Sequence, residues 1–401
     1  MAFSFLHCAD LHLGSPFLGL ALKDEALAAR FAAASREAFS ALVDAALAEK
    51  VAFVLIAGDV YDGEWRDTSI GLFFNREMGR LARAGIPVYL VRGNHDAASE
   101  VTKSITLPRS VHEFPSNRAQ TLDLPELRVA IHGRSFPERE VRDDFAQTYP
   151  KRREGFLNIG LLHTSCTGSS IHQTYAPCTP AELAAYGYDY WALGHVHDFR
   201  ELSRDPWIVY PGNLQGRSVR ECGPKGAVFV DVEDGHIAGL RRIVVDRARW
   251  ADVVVDCTGL DTEASILSAV EGSLDAPVRA AEGRAMAVRI SLSGPTALHD
   301  AINADPHHWQ TEVQGAAHRL HEDVWLEKLQ LQTRPLEGEQ TGPTDFDIAP
   351  LIDEVAQDAE VLRLLTAELD EIRSRHAFTD LAPLIEDARA LLLGRLRAGG
   401  A

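Results

Sequence analysis

Along its first 245 residues the chain alternates short apolar runs with longer amphipathic stretches, and each apolar run stops abruptly in a polar cluster. Phe3 to Cys8, Val51 to Ala57 and Ile86 to Val91 read as strands. Between them, residues 24–49 and Thr68 to Ala84 carry helical periodicity. Asp24 and Glu25 suit the positive N-terminal end of the first helix, and Gly85 stands where a helix C′ residue belongs. This start is βαβαβ. Arg128 to His132, Phe156 to Leu162 and Tyr188 to Leu193 read as further strands. A charged surface helix is predicted over 138–154, and a short one opens at Thr179-Pro180, with threonine as N-cap and proline at N1. Trp207 to Tyr210, Ala227 to Val232 and His236 to Val245 have hairpin character. The pattern predicts an α/β (α+β) fold with two sheets face to face and helices outside.

Beyond residue 246 the pattern changes. Asp252 to Cys257, Ala285 to Leu292 and Val324 to Gln332 read as strands, with helices over Thr262 to Leu274 and around 296–304. Arg334 to Pro343 reads as a linker. Ile348 to Leu396 reads as helical, broken near Phe378 to Pro383, with Leu362, Leu365, Leu369 and Ile372 at three- and four-residue spacing. The expected domains are 1–247, a small α/β unit at 248–335, and a helical tail at 345–401.

Charge follows the same division. Up to Val245 there are 26 Lys/Arg against 30 Asp/Glu, a balance of −4; from Asp246 the counts are 14 and 28, or −14, which together give the −18 of the whole chain. The acidity belongs to the C-terminal part, so a nucleic-acid substrate stays open, although a broad basic footprint is missing. No apolar run approaches the length of a membrane span. Met1 to His7 lacks a basic n-region, so no signal peptide is expected. The five cysteines (Cys8, Cys166, Cys178, Cys222, Cys257) include no C-x-x-C pair, which points to a reducing cytoplasm and away from a thiolate zinc site.

The candidate chemistry lies in the polar clusters that end the apolar runs. These are Asp10-Leu11-His12, Gly58-Asp59-Val60-Tyr61-Asp62, Gly93-Asn94-His95-Asp96, His163-Thr164-Ser165 and Gly194-His195-Val196-His197. The C-terminal edges of strands are where open α/β sheets place their chemistry. Asp10, His12, Asp59, Asn94, His163, His195 and His197 are the candidate ligands for two adjacent divalent metals. Mixed carboxylate, imidazole and amide donors suit Mn²⁺, Fe²⁺ or Zn²⁺ better than Ca²⁺. Asp59 is the expected bridging carboxylate. Two cations about 3.5–4 Å apart can activate water and clamp a phosphate. His95, beside Asn94, is the expected proton donor to the leaving oxygen, with Asp62 orienting it. A single D-x-H or H-x-H would favour a surface or core histidine; five clusters in this order do not. His7, His112, His132 and His172 read as structural or surface residues, Asp96 as a turn-former, and Cys8 and Cys166 as packing residues.

These motifs resemble the calcineurin-like metallophosphoesterase superfamily. His163-Thr164-Ser165, the Gly194 to His197 ending and Tyr210-Pro211-Gly212-Asn213 resemble its SbcD-type DNA repair exonucleases. The run His7 to Phe17 and the run Pro211-Gly212-Asn213-Leu214-Gln215-Gly216-Arg217 resemble the YhaO-like bacterial branch. Gly14 and Ser218 depart from that branch, which has Asp and His there. The resemblance implies a four-layer α-β-β-α sandwich with a small capping domain. It implies one metal held by Asp10, His12, Asp59 and His197 and another by Asp59, Asn94, His163 and His195, with manganese dependence. It also implies 3′-to-5′ exonuclease or single-strand endonuclease activity on DNA, an SMC-like ATPase partner of the SbcC type, and dimerisation through the nuclease domain. Arg217 and Arg220 are candidate phosphate contacts, with a surface structural role equally open. The tail helices fit either packing on their own domain or docking in a partner's groove. Two other functions stay open: a phosphatase or small-molecule phosphodiesterase using the same centre, and a catalytically silent scaffold.

Overall fold

The computed structural model describes residues 2–15, 25–62, 68–98, 106–141, 144–166 and 176–336. The predicted tail helices and His172 lie outside the described residues. The chain separates at Trp250/Ala251 into two units.

In the first unit, β1 (Ala2–Cys8), β2 (Val54–Ala57), β3 (Val88–Val91) and β4 (Val111–Glu113) run parallel. Helices α1 (Glu25–Glu49) and α2 (Thr68–Arg83) lie in the chain between β1 and β3, and α3 (Asn94–Ala98) is a single turn after β3. A second sheet has the order β5 (Gln120–Leu124), β6 (Val129–Gly133), β7 (Leu157–His163), β8 (Tyr190–Gly194), β10 (Trp207–Tyr210) and β9 (Arg200–Arg204). Its four central strands are parallel and its two edge strands antiparallel. Helix α4 (Pro180–Ala185) precedes β8, and its Thr179 makes a capping box with Glu182. The chain then returns to the first sheet as β11 (Gly226–Glu233), antiparallel to β1, and β12 (His236–Val244), antiparallel to β11.

Side-chain alternation explains the layering. From β1 and β2, Leu6, Cys8, Val54 and Ile56 face Phe39, Leu42, Phe74 and Met78 of the helices. The opposite face, with Phe5, Leu55 and Ala57, packs on Ile131, Ile159, Leu161 and Ala192 of the second sheet. The strands are buried on both sides, as parallel strands in α/β proteins are. The outer face of the second sheet is covered by Phe136, Val141, Phe145, Tyr149 and Leu183 over Trp191, Leu193 and Ile208.

This cover corrects one expectation. The helix predicted over 138–154 is replaced, among the described residues, by irregular chain with one 3₁₀ turn at Ala146–Thr148. The segment is fixed by side chains that reach the sheet, such as Tyr149 Oη donating to Leu161 O at 2.7 Å. Such tertiary anchoring overrides the weak preference of a charged segment for helix.

The second unit has its own core. Its sheet is β13 (Ala248–Asp256), β14 (Ala285–Pro295) and β15 (Val324–Arg334), in that order, with β14 and β15 parallel. Helix α5 (Glu263–Ala281) and α6 (His299–Ala304) correspond to sequence expectations, α5 running a further seven residues past Leu274. Helix α7 (Pro306–Leu320) was not anticipated; it buries Trp309, Val313, Ala316 and Ala317 at helical spacing.

The two sheets come close together where β8 passes the end of β2. A Cβ on Gly194 would lie 1.9 Å from Ala57 O, a backbone atom with nowhere to move. Gly194→Ala should therefore cost about 3 kcal/mol or more, the upper end of overpacking. Gly239→Ala, whose methyl would meet nothing within 4 Å, should stay within about 0.5 kcal/mol. Chemical-denaturation midpoints of the two variants test the contrast.

Candidate metal centre

The seven predicted ligands come from both sheets of the sandwich. Asp10 and His12 follow β1, Asp59 follows β2 and Asn94 follows β3; His163 ends β7, and His195 and His197 follow β8. Four of them have left-handed backbone: Asp10 (φ 52°), His12 (φ 42°), Asp59 (φ 54°) and His195 (φ 104°). Non-glycine residues there are strained by roughly 1–3 kcal/mol each, and such residues cluster at functional sites. The strain is held by ties between the strand ends. Asp10 N–H donates to Gly58 O at 3.0 Å, His12 N–H to Asp59 O at 3.0 Å, and His195 N–H to both Asp10 carboxylate oxygens at 3.0 Å.

Asp59 is central. Its Oδ2 lies 3.8 Å from His12 Nε2 and 3.5 Å from His163 Nε2, while Oδ1 accepts the His95 backbone N–H at 2.9 Å. The donor atoms of Asp10, His12 and His197 lie within 4.8 Å of one another, as do those of Asp10, Asp59 and His163. His12 and His197 face each other Nε2 to Nε2 at 3.2 Å. Gly93 makes the crowding possible, since a Cβ there would lie 2.2 Å from Asp59 Oδ1.

Proton bookkeeping tests whether these residues fit a cation. The carbonyl of Ala57 can only accept, so the 2.9 Å contact from His163 Nδ1 places that ring's proton on Nδ1. Burial holds the imidazole's pKa below its ordinary value, so it is neutral and Nε2 presents a lone pair. That lone pair faces Asn94 Oδ1 at 3.0 Å and Asp59 Oδ2 at 3.5 Å, both acceptors. Three lone pairs converge with no proton among them, which suits a cation. His12 is likewise held neutral, by burial and then by Arg217, and its buried Nδ1 has no hydrogen-bond partner among the described residues. Burial and the neighbouring charge of Asp59 push the Asp10 carboxyl well above the usual range. A divalent cation would relieve that repulsion. The donor set fits.

His95 stands beside this group, its ring 4.8 Å from that of His12 between centroids. Its Nδ1 is 2.9 Å from Asp62 Oδ1. Burial alone would lower its pKa, but the Asp62 hydrogen bond and the Asp59 charge leave it raised. Asp62 also accepts from Ser15 Oγ. Burial would raise the Asp62 carboxyl, yet His95, Ser15 and Arg217 hold it down at about 2.

The remaining candidates separate. Arg217 reaches inward, Nη2 3.0 Å from Glu221 Oε1 and Nη1 3.7 Å from Asp62 Oδ2. Arg220 is exposed. Asp96 is a turn-former that accepts the backbone N–H groups of Tyr61 and Gly93. His7 is buried against Tyr190 Oη and Leu193 O, His132 against Thr121 and Asn158, and His112 stacks on Tyr89. Glu221 and Ser15 were missed, because neither ends a strand. The one available signal for Glu221 was its place four residues after Arg217.

Comparison with known proteins agrees with this geometry. Residues 3–199 match the calcineurin-like phosphoesterase family, and residues 250–334 match the middle domain of metallophosphoesterase YhaO. An uncharacterized metallophosphoesterase, YhaO of Bacillus subtilis, is 34% identical over 295 residues, covering 73% of this chain and 72% of that protein. The chain belongs to the calcineurin-like metallophosphoesterase family. More distant relatives of this metallophosphoesterase include the DNA double-strand break repair protein Mre11 of Sulfurisphaera tokodaii, 23% identical over 274 residues, with 64% and 67% of the two chains covered. Its Aeropyrum pernix counterpart is 28% identical over 275 residues, with 63% of each chain covered. Membership implies a metal-dependent phosphoester hydrolase. No helix among the described residues is long and apolar enough to cross a membrane.

The roles of Asp59 and His95 separate in a metal-binding measurement. Asp59→Ala should lose bound metal, because its Oδ2 lies 3.8 Å from His12 Nε2 on one side of the centre and 3.5 Å from His163 Nε2 on the other. His95→Ala should keep both ions. Elemental analysis after gel filtration reads the difference, and a metal-depleted His95 variant would contradict the assignment.

Proposed function

We propose that this metallophosphoesterase hydrolyses phosphodiester bonds in DNA using two divalent cations, manganese foremost. The observation that carries the reading is Asp59 Oδ2 lying between His12 Nε2 and His163 Nε2, with the His95–Asp62 pair alongside. One cation would be held by Asp10, His12, Asp59 and His197, the other by Asp59, Asn94, His163 and His195. When bound, the cations supply the positive charge that clamps a phosphate and activates water. The chain's own residues do the rest. Asp62 holds the Nδ1 side of His95, which leaves Nε2–H for the leaving oxygen. The Asp62 hydrogen bond raises the His95 pKa against the effect of burial, which favours that proton. DNA as substrate is supported by the names of the Mre11 relatives, which are double-strand break repair proteins. Partnership with an SMC-like ATPase of the SbcC type and dimerisation rest on the family resemblance alone, and a cytoplasmic location on the cysteine pattern. Co-purification with such an ATPase tests the first of these.

Incubation with Mn²⁺ and end-labelled duplex or hairpin DNA, beside p-nitrophenyl phosphate esters, tests the substrate. Shortened DNA products are expected, and hydrolysis of the small esters alone would replace this reading with a phosphatase or small-molecule phosphodiesterase. His95→Ala should lower kcat about 10²–10⁴-fold, the usual contribution of a positioned acid. Asp62→Asn removes the carboxylate that raises the His95 pKa. His95 then loses its proton at lower pH, so the alkaline limb of the pH–rate profile should move to lower pH. A limb that stays in place would show that His95 is not the titrating acid.

A further inference from the structure

Behind His197 lies a carboxylate that none of the strand-end clusters contains. Glu221 follows β10, and its side chain is as shielded as that of His197, each 12% exposed. Oε1 is 2.7 Å from His197 Nδ1. Oε2 accepts from Asn213 Nδ2 at 2.7 Å and from the Arg217 backbone N–H at 2.8 Å. The Arg217 guanidinium lies along the same group, Nη2 3.0 Å from Oε1. A carboxylate addressed by that many donors is pinned, and it only accepts, so Nδ1 of His197 carries the proton. Arg217 Nη2 also stands 3.1 Å from that nitrogen. A guanidinium can only donate, and Nδ1 cannot accept while it donates, so the shorter contact to the charged carboxylate fixes the tautomer. Nε2 is then the lone-pair nitrogen, and it is the atom that faces His12 across 3.2 Å.

We infer that Glu221 is a positioning residue for the cation site of Asp10, His12, Asp59 and His197, acting through His197. The inference rests on the dinuclear reading above. A carboxylate behind a metal-binding imidazole fixes ring orientation and raises the basicity of the coordinating nitrogen. Arg217 holds that carboxylate and also reaches Asp62, 3.7 Å from its Oδ2. One guanidinium thus spans the groups that orient His197 and His95. The Pro211 to Glu221 segment is thereby a brace for the centre, and the acidic residue that completes it comes five residues after Gly216.

Isothermal titration of the full chain with Mn²⁺, for wild type, Glu221→Ala and Glu221→Gln, tests the assignment. In Glu221→Ala one site should weaken about 10–100-fold, as loss of such a partner does, while the other keeps its affinity. Glu221→Gln keeps an acceptor but not the charge and should fall between. Two unaltered sites in a Glu221→Ala protein that melts like wild type would overturn the inference. If Glu221→Ala does not fold, Glu221→Gln decides: one selectively weakened site supports the inference, and unchanged affinities overturn it. Wild-type chain binding a single ion would remove the two-cation reading instead, and the inference would then stand or fall on whether that one site weakens.

Discussion

One of the hydrogen bonds that join the two sheets at the centre is donated by His163 Nδ1–H to Ala57 O at 2.9 Å. Its donor ends β7 in one sheet and its acceptor ends β2 in the other. The same carbonyl is the atom that a side chain on Gly194 would strike. The missing Cβ therefore sets how near β8 can come, and the nearness lets the imidazole reach across. Once its proton is spent on Ala57, the ring has one way to present its other nitrogen, towards Asn94 and Asp59. Without this crossing, Asp10, Asp59 and Asn94 would be one half of a site and His163, His195 and His197 another.

The left-handed residues follow from the same closeness. At the ends of β1, β2 and β8 the chain must turn within one or two residues while keeping a donor aimed at its neighbours. Glycine would turn freely but supply no ligand. Asp and His accept φ > 0 more readily than bulky or β-branched residues, because polar side chains can bond locally. Asp10 is held instead by a long-range contact: its carboxylate takes the N–H of His195, itself left-handed, from the other sheet. Each strained residue is thus clamped by another, and the centre is rigid before any ion enters, which is what a metal site requires of its scaffold.

The strand-end donors were legible because strand periodicity says where a run stops, and the type of the stopping residue says what it can bind. Asp10, Asp59, Asn94 and His163 needed no further information. Glu221 was harder to read: it meets the ring of His197 from a turn in which its N–H donates to Ser218 O, and its place four residues after Arg217 is the one local trace of that path. Helix α7 was legible and overlooked. Asp305 caps it, accepting the His308 N–H, and Pro306 opens it. Its polar positions hid an apolar stripe of Trp309, Val313, Ala316 and Ala317. The segment 138–154 failed in the other direction. Phe145 and Tyr149 flank the single 3₁₀ turn of the segment, and what they share is the outer face of the second sheet.

The charge distribution bears on how a phosphate is drawn in. The Arg217 guanidinium lies 3.1 Å from His197 Nδ1, and two carboxylates, Glu221 and Asp62, already face it. Its charge reaches His12, but its hydrogen bonds are committed to these two carboxylates and to alignment. Asp10 and Asp59 leave the bare centre negative. A phosphate would be repelled from it, since like charges in a buried site interact strongly. Attraction has to come from cations, which on the proposed reading the seven donors hold. Two divalent cations bring about +4, equal and opposite to the −4 of residues 1–245. The absence of a broad basic footprint follows: the positive charge for an anionic substrate is concentrated where the bond breaks, and the surrounding surface can stay near neutral.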